Sequence, residues 1–142
     1  MEHRRKIIKF SLLSIGGLIL AFVLTNPINF GLCPLENKYC FDPYDEIVGQ
    51  PLAFFSLITF VLSIIFLFVD ESIFNAWKRF AKYYLLVAAV LIGITPSVDA
   101  SVIGIDREIA TWFLALVFLF WSVGIIISKF IALRRIAAQK FR

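Results

Sequence analysis

Residues 52–69 read LAFFSLITFVLSIIFLFV, eighteen side chains in a row with no charge and nothing more polar than a hydroxyl. At about 1.5 Å per residue an α-helix of this length reaches about 27 Å, close to the roughly 30 Å hydrocarbon core of a bilayer. Apolar and polar residues do not alternate along it, as they would in a transmembrane strand. In lipid every backbone N–H and C=O must be paired within the segment, so an uninterrupted run of this kind reads as a spanning helix.

Three further runs flank it, at 7–25, 83–98 and 109–128, the first carrying Lys9 near its start. The third run is the shortest, because Thr95-Pro96-Ser97 stops a helix early: proline lacks an N–H and disfavours helical geometry at the residue before it. A hydrophobic content of 61% and a mean hydropathy of +0.89 exclude an ordinary soluble domain. The expected fold is an all-α integral membrane protein, a four-helix transmembrane bundle with up-down topology. Residues 1–142 form one domain, with outer loops 26–51 and 97–108, an inner segment 70–82 and a basic tail 129–142. No connection is long enough for a separate soluble domain, and no internal repeat is visible.

Charge sets the expected orientation. Arg4, Arg5, Lys6 and Lys9 precede the first run. Lys78, Arg79 and Lys82 lie between the second and third, and Lys129, Arg134, Arg135, Lys140 and Arg142 follow the fourth. Only Lys38 and Arg107 fall on the other side, while Glu36, Asp42, Asp45, Glu46, Asp99, Asp106 and Glu108 make that side acidic. By the positive-inside rule both termini are expected in the cytoplasm, in a plasma membrane of prokaryotic type. The overall charge of +4 conceals this split, which reflects membrane topology and not nucleic-acid binding. The start resembles a secretory signal, but no small-x-small cleavage site follows it, so an uncleaved signal anchor is expected.

Small and hydroxyl-bearing residues mark the expected packing faces. Gly17-x3-Ala21 in the first run and Ala89-x3-Gly93 in the third permit close helix approach, and Ser56, Thr59 and Ser63 share a face of the second. All are expected to face inward, while Phe55, Phe66 and Phe118 meet lipid or a partner. The inner segment 70–82 reads as a short interfacial helix of its own, capped by Asp70 or Ser72. Its apolar stripe is Ile73, Phe74, Trp77, Phe80 and Ala81, its basic face Lys78, Arg79 and Lys82. Asp106 and Glu108 suit the start of the fourth helix, where acids meet the positive end of the helix dipole.

The only cysteines, Cys33 and Cys40, occur in the outer-loop sequence CPLENKYC, where an oxidising compartment favours a structural disulfide. Four-helix membrane thiol oxidoreductases, vitamin K epoxide reductase among them, use a Cys-x-x-Cys pair and a second relay pair. This chain has six residues between its cysteines and no second pair, so it departs from that chemistry. The single histidine, His3, cannot build a histidine-ligated metal or haem site alone, and no cofactor is expected. Apart from Lys9 the four runs contain no Asp, Glu, Lys, Arg or His, which argues against a proton-coupled transporter. Trp121 lies deep in the fourth run and its indole N–H needs an acceptor. Together with Trp112 it defines an aromatic ligand cavity under a lipid- or quinone-handling alternative. The leading expectation is a structural or interaction module whose partners are membrane lipids and either another membrane protein or a second copy of the chain.

Overall fold

Among the described residues four α-helices succeed one another: α1 (Glu2–Leu24), α2 (Gln50–Phe66), α3 (Glu71–Ile94) and α4 (Arg107–Lys140), with a π-helical segment, Pro43–Gly49, leading into α2. The computed structural model describes the backbone of residues 2–34, 43–96 and 106–140, and the side chains of 4–34, 44–96 and 106–135; no strand occurs among them.

Local chemistry explains most of the boundaries. α1 ends where Asn26 turns its amide back to the Phe22 carbonyl (3.0 Å). The chain then closes a tight turn in which the N–H groups of Leu32 and Cys33 both reach Pro27 O, at 2.8 and 3.3 Å. Gly31 makes that turn feasible by adopting φ 69°, a left-handed conformation that costs a side-chain-bearing residue more. Pro51 has no N–H to donate to the carbonyl four residues earlier, and it stands where the wider π winding gives way to α2. Asp70 caps α3 by accepting the Ser72 N–H at 2.9 Å, and Asp106 caps α4 by accepting the Ile109 N–H at 2.8 Å. Thr95, held extended by Pro96, ends α3.

Three of the four helical stretches are long and apolar enough to cross a membrane: Arg4–Leu24, Tyr44–Phe66 and Arg107–Arg135. The sequence expectation of a separate inner helix at 70–82 followed by a span at 83–98 is corrected. Residues 71–94 form the single helix α3, whose first half carries Lys78, Arg79 and Lys82 on its exposed face.

The helices pair as α1 along α2 and α3 along α4, with α2 also packed on α4. Lys6 of α1 pairs with Glu71 of α3 at 3.2 Å, so the starts of these two helices lie together. α3 and α4 run antiparallel, with the Trp77 indole N–H donating to Ser122 Oγ at 2.9 Å and the Tyr84 hydroxyl donating to Leu114 O at 2.8 Å.

The core gathers at the end of the bundle where α1 and α3 begin. Ile7 from α1, Leu62 and Phe66 from α2, Ile73, Phe74, Trp77 and Ala81 from α3, and Phe118 from α4 form one buried cluster. Its rings meet mostly edge-on or tilted: Phe10 approaches Trp77 at 5.5 Å and 89°, and Phe66 approaches it at 4.8 Å and 48°. Such geometry suits the aromatic quadrupole better than a face-to-face sandwich. Phe66 and Phe118, expected to meet lipid, are fully buried. The reason is ring packing: Phe66 lies against Phe74 and Trp77, and Phe118 against Phe55, Trp77, Phe80 and Tyr84.

Candidate functional site

Beyond this aromatic core the bundle opens. α1 and α3 meet through Phe10, which contacts the rings of Phe74 and Trp77. Further along, they stand apart as the two walls of a groove of about 780 Å³, with α2 as its floor and Ile47 and Val48 of the π-helical segment at one end. α1 contributes Leu13, Gly16, Gly17 and Leu20, α2 contributes Leu52, Phe55, Ser56 and Thr59, and α3 contributes Leu85, Ala89 and Ile92. The volume falls within the range of small-molecule sites, and the lining is apolar except for three hydroxyls, Ser14, Ser56 and Thr59. Ser14 already donates to Phe10 O at 3.0 Å. No lining residue is ionisable.

The sequence-derived packing residues divide around this groove. Gly17 is a true contact point: a Cβ there would overlap the hydroxyl of Ser56 and lie 3.3 Å from its Cβ, so α1 and α2 touch nearly backbone to side chain. Ala21, one turn on, is buried. Ser56, Thr59 and Ser63 form one buried face of α2, as their spacing suggested, and Ser63 donates to Phe60 O at 2.7 Å. Ala89 and Gly93 do not pack inside: both are exposed, and a Cβ on Gly93 would meet nothing within 4 Å. The buried positions of that stretch are Ala88 and Ile92, one residue round the helix.

The aromatic cavity drawn between Trp112 and Trp121 does not form. The two residues are nine apart, on opposite sides of α4: Trp112 packs on Phe54 at 4.4 Å, while Trp121 stacks on Phe80 at 6.4 Å and is 62% exposed. Trp121 lines a shallow depression along α4, about 390 Å³, with Phe120, Gly124, Ile125 and Ser128. The buried indole that needs an acceptor is Trp77, and Ser122 supplies it.

At the end of the bundle opposite the aromatic core Arg107 organises a polar cluster. Its Nε donates to Thr95 O at the end of α3 (3.1 Å), and its guanidinium lies 3.6 Å from Glu46 of the π-helical segment. One side chain thereby ties α3, α4 and the approach to α2, and Glu46 faces a cation of the chain's own. Sequence counting registered Arg107 only as a stray positive charge, although an arginine beside a helix start and a proline-ended helix was the available signal.

Cys33 is buried beneath the turn that follows α1, whereas Cys40 lies outside the described residues. Among the described residues no three His, Cys, Asp or Glu side chains gather as a metal site would require. No family model, curated protein or solved structure matches the chain.

Proposed function

We propose that the chain is a membrane-embedded interaction module that holds one apolar transmembrane segment of a partner protein in the groove between α1, α2 and α3. In this reading α1, α2 and α4 cross the bilayer and the apolar half of α3 completes the bundle. The basic end faces the cytoplasm together with both termini, and a Cys33–Cys40 disulfide closes the outer loop. Mass analysis after alkylation, with and without reductant, reads the disulfide. An impermeant thiol reagent applied to intact cells should fail to label a cysteine at Asn75; labelling would reverse the orientation.

The observation that carries the reading is the groove itself. It is open, apolar and free of ionisable side chains, which suits a neighbouring helix and gives proton-coupled chemistry no foothold. Gly16 and Ala89 on its walls favour a helix over a lipid chain, because small residues let a second backbone come close enough for dispersion contacts that lipid tails do not improve on. A photoreactive amino acid in place of Leu20 or Ala89 is expected to give a discrete protein adduct in native membranes. The same group at Phe113 or Leu116, on exposed positions of α4, is expected to give lipid adducts. Lipid adducts from all four positions would replace the partner-helix reading with a lipid-binding one.

A further inference from the structure

The exposed surface of α3 turns from basic to apolar much deeper in the bundle than that of either neighbour. Trp77 stands opposite Ser122 and Tyr84 opposite Leu114, so Lys82 lies level with about residue 116 of α4. On α4 the exposed surface stays apolar well past that level, through Phe120 (71% exposed), Trp121 (62%) and Ile127 (53%), before Lys129 appears. The same holds toward α1. Phe10 is level with Trp77, so the exposed Lys9 lies nearly two turns nearer the basic end than Lys82.

On α3 itself the outward apolar strip runs from Tyr83 (65% exposed) through Leu86 (64%) and Val90 (56%) to Ile94 (73%). These twelve residues span about 18 Å at 1.5 Å each, well short of the roughly 30 Å hydrocarbon core. Lys78, Arg79 and Lys82 stand exposed at the inner edge of that strip, and Lys82 lies over the Tyr83 ring, its Nζ 5.9 Å from the centroid. Snorkelling of the lysine stem recovers only part of the shortfall.

We infer that the α3 face binds the phosphate headgroups of anionic phospholipids through Lys78, Arg79 and Lys82, drawing the inner leaflet in and thinning the bilayer beside the groove. Charge complementarity identifies the lipid class, and the short apolar strip sets the depth at which the phosphates are held. The inference rests on membrane insertion as proposed above, but not on the identity of the groove's occupant. The thinned leaflet borders the α3 wall formed by Leu85, Ala89 and Ile92, and so lowers the barrier for a segment entering the groove.

The test uses the full chain reconstituted in vesicles of phosphatidylcholine with phosphatidylglycerol, followed by native mass spectrometry of retained lipid. Flotation with the vesicles first establishes insertion; failure there overturns the membrane reading itself. The wild type is expected to retain phosphatidylglycerol several-fold over phosphatidylcholine, and to be most heat-stable in shorter acyl chains. Lys78→Gln/Arg79→Gln/Lys82→Gln should lose the retention and move the optimum to longer chains. Lys129→Gln/Arg134→Gln/Arg135→Gln, which removes equal charge from α4, should keep both. Equal loss in the two triple variants would reduce the effect to general positive charge and overturn the site, as would full retention in the α3 variant.

Discussion

Trp77→Ala is expected to be the most damaging single substitution in the aromatic core, lowering the unfolding free energy by about 3 to 5 kcal/mol. The side chain is completely buried, contacts rings from α1, α2 and α4, and carries the one indole N–H seen bonded to Ser122. Its removal leaves a cavity where all four helices meet and strips the Ser122 hydroxyl of its donor. Against a total stability of about 5 to 15 kcal/mol, that loss is a large fraction of the whole. Trp121→Ala removes an equally large side chain that is mostly exposed, and should cost less than about 1 kcal/mol. Equilibrium unfolding in detergent checks the pair; similar losses from the two tryptophans would mean that Trp77 is not at the centre of the bundle.

Gly17→Leu should also destabilise the bundle, for a different reason. No volume is available between α1 and Ser56, and the new side chain has backbone behind it and α2 in front. Overpacking of this kind costs about 1 to 3 kcal/mol and more where the backbone must move. Here the yielding motion would separate α1 from α2 and open the groove floor. Gly93→Leu, in contrast, adds a side chain into open space and should leave the melting temperature within error of wild type. Thermal unfolding of both variants decides the matter, and a larger loss from Gly93→Leu would restore the inward face that sequence spacing had assigned to Ala89 and Gly93.

Why the sequence misplaced that face is a matter of physics. Asp70, Pro96 and Asp106 act on their own backbone, so the capping at both ends of α3 and at the start of α4 was readable locally. Ser56, Thr59 and Ser63 lie on one buried face of α2, but their hydroxyls do not by themselves dictate it, since Ser63 pairs with Phe60 O of its own helix just as the exposed Ser128 pairs with Ile125 O. Phe66 and Phe118 give still less local signal: lipid tails are as apolar as a protein core, and hydropathy cannot tell the two destinations apart. The division of α3 at Lys82 followed composition when the helical stripe was the better guide. Ile73, Trp77, Ala81, Ala88 and Ile92 continue on one face straight across that division, with Lys78, Arg79 and Lys82 on the exposed side. The groove was beyond any local reading, because it depends on how far α1 stands from α3. Long-range contacts such as Phe10 with Trp77 set that spacing.

The groove carries the functional proposal, and Gly16 offers a way to fill it without disturbing the bundle. Gly16 lines the groove, and a Cβ at this position would meet nothing within 4 Å. Gly16→Phe should therefore occupy the groove while keeping the wild-type unfolding profile, helped by the better helix propensity of the new residue. The decisive measurement is quantitative co-purification from native membranes of wild type and Gly16→Phe, expressed at equal levels, with mass spectrometry of the associated proteins. A partner-helix groove predicts that a specific membrane protein is enriched with the wild type and falls at least ten-fold with the variant, while the variant remains folded. An unchanged set and amount of associated proteins from a folded Gly16→Phe variant would contradict it.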